Sequence, residues 1–234
     1  MQLHILSGGA AEGLVHTLAP QFRAATGFDI QGTFGAVGAQ RDKLLAGQPA
    51  DILILTSALI SDLTKAGHVA AGSAADLGVV RTGIAVQTGT PHPAIGNADE
   101  LRAALLAADE IYLPDPKLAT AGIHFAKVIA ALGASEAVAG RLRVFPNGTT
   151  AMGTMAAASG RPLGCTQATE ILNTSGVDFV GPLPAPFELA TTYTAALCSR
   201  SQSADAARQF ISLLTDDGTR EIRARMGFGS SNQK

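Results

Sequence analysis

The sequence predicts an α/β fold with two lobes, each a mostly parallel sheet flanked by helices, and a ligand cleft between the lobes. Short apolar segments alternate with helical patterns along the chain, as in proteins with parallel sheets. The chain has 234 residues, 47% of them hydrophobic and 15% charged, which suffices for one large domain or two modest lobes.

Two long segments with polar residues, near 79–88 and 188–199, indicate where the chain crosses between the lobes. The predicted lobe 1 therefore comprises residues 1–80 and 196–234, and lobe 2 comprises 81–195. The crossovers are expected near 80–84 and 190–195.

The elements of lobe 1 follow from apolar runs and from apolar residues at helical spacing. The first helix has Pro20 in its interior, which predicts irregularity there, and it ends at Gly27. The predicted elements are, in order, strand 3–6, a helix around residues 14–22, strand 28–34, helix 39–46, strand 50–56, helix 58–66, and C-terminal helices 204–215 and 218–226. Segment 229–234 is expected to be disordered.

The elements of lobe 2 follow in the same way. Asp99 precedes a helix, "PDP" marks a turn, and Gly133 closes the next helix. The predicted elements are strand 78–88, helix 100–107, strand 110–113, helix 121–132, strand 141–145, helix 147–160, strand 162–166, helix 167–172, strand 177–181 and strand 187–199.

Composition argues against several classes of protein. The net charge is −2 without a basic block, and Trp is absent, so nucleic acid is not an expected partner. No apolar run is long enough for direct membrane insertion. The five histidines lack the spacing of a zinc site, and we expect no metal and no organic cofactor.

Met1 leads directly into the first strand without a signal peptide. We therefore expect a cytoplasmic protein, or a periplasmic one if a signal peptide has been removed. Cys165 and Cys198 lie in apolar segments, which favours two buried structural thiols; a disulfide and a nucleophile remain alternatives.

Four strand-to-helix junctions carry small or hydroxyl residues where a helix exposes free N–H groups. Such helix ends attract anions, and open α/β sheets bind ligands beyond the carboxyl ends of their strands. The junctions predict a small-anion site; ordinary helix caps and turns are the alternative. They are Ser7-Gly8-Gly9-Ala10, Thr120-Ala121-Gly122, Asn147-Gly148-Thr149-Thr150 and Thr166-Gln167-Ala168-Thr169.

Two arginines and one histidine are further candidates. Arg41 lies early in a helix, where a cation opposes the dipole, and Arg81 interrupts an apolar strand, where an unpaired buried arginine would be costly. Each is either a ligand for an anion or a surface residue. His124 lies near a helix start, which favours the neutral imidazole that a base requires. Glu170, Glu188 and Tyr193 are alternatives for proton chemistry, and structural roles remain open for all four.

Several segments resemble the periplasmic molybdate-binding proteins. The segment "ATGFDIQGTFGAVGAQRDKLLAGQPADILILTSALISDLTKAGHV" resembles their first lobe, and "LPDPKLATAGIHFAKVIAALG" resembles their "DPxxxPAG" segment. "GRPLGCTQATEIL" resembles "APLGIVYxSDA", and "TTYTAAL" resembles their crossing strand. The resemblance covers nearly the whole chain and implies the type II periplasmic-binding-protein fold.

The chain departs from that family where the family binds its oxyanion with hydroxyl groups. Ala10 and the run Gly35-Ala36-Val37-Gly38 lack them, and Gln167 replaces the tyrosine of "VYxSD". The added arginines favour carboxylates, which they pair in bidentate fashion. In this the chain is similar to the aconitate-isomerase branch of the superfamily.

That resemblance implies an isomerase that shifts a double bond by 1,3-proton transfer in an unsaturated di- or tricarboxylate. The alternatives are a non-catalytic solute-binding component of an ABC transporter, with a permease as partner, and a cytoplasmic ligand sensor. The expected catalytic residues are His124 and then Glu170. The expected ligand-binding residues are Ser7, Gly8, Gly9, Ala10, Gly35, Ala36, Arg41, Thr56, Arg81, Thr82, Ala121, Gly122, Asn147, Thr149, Gln167 and Thr169.

Overall fold

The computed structural model describes residues 1–229 and divides them into two compact units. Unit 1 contains Met1–Val80 and the chain from Thr191 onward, and unit 2 is Arg81–Ala190. The second boundary was predicted at 195/196 but lies at 190/191, because residues from Tyr193 onward pair with a strand of unit 1.

Unit 1 begins with strands and helices in alternation, as its apolar pattern predicts. Its elements are β1 (Gln2–Gly8), a 3-10 turn (Gly9–Ala11), α1 (Glu12–Thr26), β2 (Asp29–Gly35), α2 (Val37–Leu45), β3 (Ile52–Thr56), α3 (Ser57–Lys65), the start of β4 (Ala75–Gln87), most of β9 (Ala190–Leu197), α9 (Ala204–Thr215), a second 3-10 turn (Asp217–Thr219) and α10 (Arg220–Arg225).

The sheet of unit 1 has the strand order β2-β1-β3-β9. The first three strands are parallel, and β9 runs antiparallel to β3. Helix α1 buries Leu14, Leu18 and Phe22, and the Phe22 ring lies 4.8 Å from the ring of Phe210 on α9. Helix α1 is continuous from Glu12 to Thr26 with Pro20 in its interior, so the irregularity expected there does not interrupt the helix.

Unit 2 repeats the alternation. Its elements are the rest of β4, α4 (Ala98–Ala107), β5 (Ile111–Pro114), α5 (Thr120–Ala131), α6 (Ser135–Val138), a 3-10 turn (Ala139–Arg141), β6 (Leu142–Phe145), α7 (Gly148–Ala156), β7 (Leu163–Gln167), α8 (Ala168–Leu172) and β8 (Val177–Pro182). The short α6 was not predicted from the sequence.

The sheet of unit 2 has the order β4-β7-β5-β6, and β8 pairs with the other edge of β4. Strands β5, β6 and β7 are parallel, whereas β4 is antiparallel to β7 and β8. One apolar cluster gathers α4 and α5 around β5, with Phe125 completely buried. A second cluster places Met152 and Met155 of α7 against Tyr112.

The two ends of the described chain bear on the predictions. Gly229, the first residue of the predicted disordered tail, forms a bridge with Val79, and residues 230–234 lie outside the described residues. Among residues 1–229, no helix has both the length and the apolar character needed to cross a membrane.

Candidate functional site

The strand ends of unit 1 bring together the predicted junction Ser7-Gly8-Gly9-Ala10 and the run Gly35-Ala36-Val37-Gly38. Because β1, β2 and β3 are parallel, their carboxyl ends meet at one edge, where Gly8 lies opposite Gly35 in the register. Gly9, Ala10 and Ala36, which follow these glycines, are buried. The glycines expected to hold a ligand therefore lie side by side at the edge where α/β sheets bind ligands.

Close packing explains why one position at this edge is a glycine. A side chain at Gly8 would lie 2.8 Å from Val37 Cγ1 and 3.1 Å from Tyr193 Cε1, so glycine is needed there for close packing. The Ser7 hydroxyl is buried and donates to the Gly8 carbonyl oxygen at 2.8 Å. Since a hydroxyl has one hydrogen to donate, Ser7 uses its donor inside the protein.

Gln40 is a residue of this edge that sequence analysis missed. It lies in the first turns of α2 and is only 1% exposed. A side chain at Gly35 would come within 2.7 Å of Gln40 Nε2, so the missing side chain of Gly35 makes room for this amide. Its carbonyl oxygen Oε1 is buried and has no hydrogen-bond partner.

The two other predicted side chains of unit 1 have partners. Arg41 is partly exposed, and its guanidinium donates to Asp42 Oδ1 from Nε at 2.9 Å and Nη2 at 2.7 Å. Thr56 caps α3, since its Oγ1 accepts a hydrogen bond from the Leu59 N–H at 3.4 Å. Arg41 would have to exchange its partner to bind a carboxylate.

The strand ends of unit 2 bring together Thr82, Gln167 and Thr169. Thr82 of β4 lies opposite Gln167, the last residue of β7, and its buried hydroxyl donates to Gln167 Oε1 at 3.4 Å. This contact leaves Gln167 Nε2 buried without a partner, and Thr169 Oγ1 is also buried and unpartnered. Unit 2 therefore offers an amide and a hydroxyl donor, two residues apart, to a ligand acceptor.

Glu170 lies beside these donors and has an internal partner. Its carboxyl group is buried and accepts a short hydrogen bond from the Thr166 hydroxyl. A side chain at Gly148, the first residue of α7, would collide with Glu170 Oε2 and Thr166 Oγ1, both 2.0 Å away. An internal carboxylate thus lies against the positive end of α7, where the sequence predicted a ligand anion.

The remaining helix starts of unit 2 have structural contacts. Asn147 caps α7 by accepting from the Thr150 N–H at 2.8 Å, and Thr149 is partly buried in the first turn of that helix. A side chain at Gly122 would lie 2.3 Å from the Pro114 carbonyl oxygen, so glycine allows α5 to approach β5 closely. Ala121 beside it is buried.

His124 and Arg81 are the other predicted residues of unit 2. His124 Nε2 lies 2.8 Å from the Phe187 carbonyl oxygen. Since a carbonyl only accepts, Nε2 carries the hydrogen, and a neutral ring then has its lone pair on Nδ1. Arg81 is exposed rather than buried, and its Nη1 lies 3.4 Å from Glu188 Oε1.

Among the described residues, no group of three or more His, Cys, Asp or Glu side chains is arranged to hold a metal ion. Cys165 and Cys198 are free and buried, which confirms the prediction of two buried thiols. Burial, together with the charge of Asp51, raises the pKa of Cys198 to about 12, so its reactive thiolate is scarce.

Three buried polar atoms stand out as sites for a missing partner. Within residues 1–229, the buried side-chain nitrogen and oxygen atoms without a hydrogen-bond partner are Gln40 Oε1, Gln167 Nε2 and Thr169 Oγ1. All three follow the ends of parallel strands. Buried polar groups are nearly always paired, so each of these atoms is a candidate for a hydrogen bond to a ligand or to a bound water.

Known proteins resemble this chain in sequence and in structure. A family model described as bacterial extracellular solute-binding protein matches residues 3–229. An aconitate isomerase from Pseudomonas sp is 27% identical over 220 residues, which cover 91% of this chain and 81% of the relative.

Solved structures show the same fold at low identity. The periplasmic molybdate-binding protein of Azotobacter vinelandii superposes with a TM-score of 0.77 at 18% identity, over 97% of this chain and 98% of that one. The sulfate-binding protein SubI from Mycobacterium tuberculosis H37Rv gives 0.75 at 20% identity, over 99% and 88%. The predicted α/β periplasmic-binding-protein fold is confirmed.

Proposed function

We propose that this chain, which belongs to the family of bacterial extracellular solute-binding proteins, is an isomerase that binds an unsaturated di- or tricarboxylate. It would shift the double bond of an aconitate-like ligand by moving a proton between two carbons. The observation that carries the proposal is the 27% identity with an aconitate isomerase along 91% of the chain. The identities with the molybdate-binding and sulfate-binding structures are lower, at 18% and 20%.

The hydrogen-bonding groups of unit 2 support binding of a carboxylate. Gln167 Nε2 and Thr169 Oγ1 are buried and unpartnered, and both can donate to a carboxylate oxygen. Donors held in place in a dry site stabilise the negative charge that develops when a proton leaves a carbon next to a carboxylate. Arg41 and Arg81 are the proposed cationic contacts.

The proposed chemistry needs one base and moves one proton. The base takes a proton from the CH2 carbon next to the double bond, and the electron pair of that C–H bond forms the new double bond. The old π pair moves to the far carbon, which takes the proton back from the base. The negative charge of the intermediate is shared with a carboxylate, and the reaction requires neither an oxidant nor a cofactor.

His124 is the first candidate for this base. The Phe187 carbonyl holds Nε2–H at 2.8 Å, which orients the ring and leaves the Nδ1 lone pair for the proton. Glu170 is the second candidate, since its buried carboxyl group lies at the end of β7 beside the two unpartnered donors.

Proton NMR in deuterated water tests the proposal. Purified protein is incubated with cis- and trans-aconitate, and we expect interconversion with deuterium entering the exchanging carbon. His124→Gln should abolish turnover and retain binding; His92→Gln, which alters an exposed histidine beside Asp178, is the matched control. Absence of both interconversion and exchange in the wild-type protein would refute the isomerase.

A solute-binding protein without chemistry is the second candidate, favoured by the family match. It would bind the same carboxylate without changing it and deliver it to a transporter permease. A cytoplasmic sensor would instead present its closed, ligand-bound form to a partner protein. In the same NMR experiment, aconitate signals that broaden on binding without deuterium incorporation would identify this function.

A further inference from the structure

We infer that Gln40 is a ligand-binding residue whose side-chain carbonyl accepts a hydrogen bond from a hydroxyl or protonated carboxyl group of the ligand. The inference rests on the proposed function, since it narrows the class of carboxylic ligand that this site takes. Gln40 is not among the predicted site residues.

The burial of Gln40 carries the first step. The residue is 1% exposed, and its Oε1 has neither water access nor a partner among the described residues. A buried carbonyl oxygen without a hydrogen bond destabilises the folded protein, whereas an apolar side chain of the same length would not. Gln40 Oε1 destabilises the protein and takes part in no internal hydrogen bond, and a ligand that donates a hydrogen bond to it would account for its presence.

The position of the amide carries the second step. Gln40 reaches back from α2 to the last residue of β2, where its Nε2 fills the space that a side chain at Gly35 would occupy, 2.7 Å away. Gly35 pairs in register with Gly8, the last residue of β1. The amide is therefore held at the carboxyl ends of two parallel strands, where α/β sheets bind ligands.

The chemistry of Gln40 Oε1 restricts the class of ligand that can bind to it. A carbonyl oxygen only accepts hydrogen bonds, so the ligand group that meets Oε1 must carry a hydrogen. A hydroxyl group or a protonated carboxyl group has one; sulfate and molybdate at neutral pH do not. Gln40 therefore selects a hydroxylated or partly protonated carboxylic acid over a tetrahedral oxyanion.

Gln40→Met is the main test, because methionine keeps the length of the side chain and removes the acceptor. Calorimetry at pH 6 and pH 8 uses trans-aconitate and its saturated analogue tricarballylate. At pH 6 we expect the variant to bind both at least about tenfold more weakly, the loss corresponding to one buried hydrogen bond, and at pH 8 we expect a smaller difference. Its melting temperature without ligand should equal or exceed that of the wild type.

A proton linkage separates a ligand contact from a structural role. If the wild type binds a protonated carboxyl group, its affinity rises as the pH falls from 8 to 6, and proton uptake appears when the calorimetry is repeated in buffers of different ionisation enthalpy. The pH dependence of affinity should flatten in Gln40→Met, because the contact that requires the proton is gone.

Two further variants keep the test decisive. Gly35→Ala should displace the Gln40 amide, so it should weaken ligand binding as Gln40→Met does. The double variant should bind the ligand no more weakly than either single variant. Gln87→Met is the matched control, because the Gln87 amide donates to three carbonyls that include Ala158 at 2.7 Å. It should lose thermal stability and keep the wild-type affinity.

The outcomes distinguish this inference from the proposed function. Wild-type affinity in Gln40→Met, with turnover intact, overturns the role of Gln40 and leaves the isomerase standing. Tight binding without turnover in the wild type, lost in Gln40→Met, refutes the isomerase and supports the contact. A Gln40→Met protein that melts well below the wild type and binds normally makes Gln40 structural, and a wild type that binds neither probe overturns both proposals.

Discussion

At the scale of single residues, close packing requires glycine at some positions and not at others. Gly148 and Gly153 show the difference within one helix, since both belong to α7. A side chain at Gly148 would strike Glu170 and Thr166 at 2.0 Å, whereas a side chain at Gly153 meets nothing within 4 Å. The two positions should therefore respond to alanine with opposite signs.

Gly148→Ala should destabilise the protein by about 1–3 kcal/mol, because the buried Thr166–Glu170 pair must move to admit a methyl group. Gly153→Ala should stabilise it by about 0.5–1 kcal/mol, because alanine is the better helix former. Urea unfolding followed by circular dichroism measures both. A Gly148→Ala protein as stable as the wild type would contradict the close contact at Gly148.

Only some residues of the candidate site could be predicted, because the sequence does not show how side chains pack at the strand ends. Gln167 and Thr169 were predicted because they lie at a strand-to-helix junction that the apolar pattern marks, and each has a buried polar atom without a partner. Gln40 was missed because a lone glutamine at a helix start forms no motif, and its burial depends on the empty space at Gly35. The adjacent pattern Gly35–Gly38 was the available signal, since a glycine at a strand end often admits a side chain from elsewhere.

At the scale of elements, the pairing of β5 with β6 is secured by a polar cluster at one face. Tyr112 lies opposite Arg143 in the register, and its hydroxyl donates to Glu110 Oε2 at 2.6 Å. Arg143 donates to Glu110 Oε1 from Nε at 2.8 Å. The hydrogen bonds from Tyr112 and Arg143 lower the pKa of Glu110, and burial together with Glu110 raises the pKa of Tyr112 to about 12.

The raised pKa of Tyr112 predicts a loss of stability in alkali. An unfolded tyrosine ionises near pH 10, whereas the folded one holds its proton to about pH 12. The stability from this proton is therefore complete below pH 10 and is lost as the pH rises from 10 to 12.

Tyr112→Phe should be less stable than the wild type at pH 8, because it lacks the hydrogen bond to Glu110. Its urea midpoint should fall less steeply between pH 10 and pH 12, because the phenyl ring does not ionise. Parallel curves for the two proteins across that range would contradict the raised pKa of Tyr112.

Element boundaries were predictable where local chemistry sets them. Gly27 ends α1 with φ of 74°, a conformation that glycine adopts readily, and helix 204–215 was predicted with its observed bounds. Strand β9 begins at Ala190 rather than at 187, because Phe187 turns back to bond the Pro184 carbonyl. The short α6 escaped prediction, since four residues carry too little periodicity to detect.

At the scale of the whole molecule, the alternation of apolar strands and amphipathic helices was enough to predict the fold. The order of strands in each sheet was not, because pairing joins segments as distant as β3 and β9. The same pattern does not predict which ligand the protein binds, because this fold occurs both in a molybdate-binding protein and in a sulfate-binding protein. The class of ligand can be identified by how much each candidate ligand raises the melting temperature of the protein.

Carboxylates and tetrahedral oxyanions should affect the stability of this protein differently. Ser7 donates its hydroxyl hydrogen to the Gly8 carbonyl oxygen, and Ala10 and Ala36 carry no hydroxyl group. These three positions therefore offer no free hydroxyl donor to a tetrahedral oxyanion. We expect trans-aconitate at a hundred times its dissociation constant to stabilise the protein by about 2.7 kcal/mol. Such a gain raises the melting temperature by roughly 5–10 °C for a chain of this size.

Molybdate and sulfate at the same concentration should shift the melting temperature no more than sodium chloride of equal ionic strength, which controls for screening. Differential scanning fluorimetry of the wild type measures the whole series. A shift with molybdate as large as that with trans-aconitate would show that backbone N–H groups and the donors Gln167 and Thr169 suffice for an oxyanion. The carboxylate would then lose its place as the preferred ligand, because the absent hydroxyls at Ala10 and Ala36 would no longer discriminate.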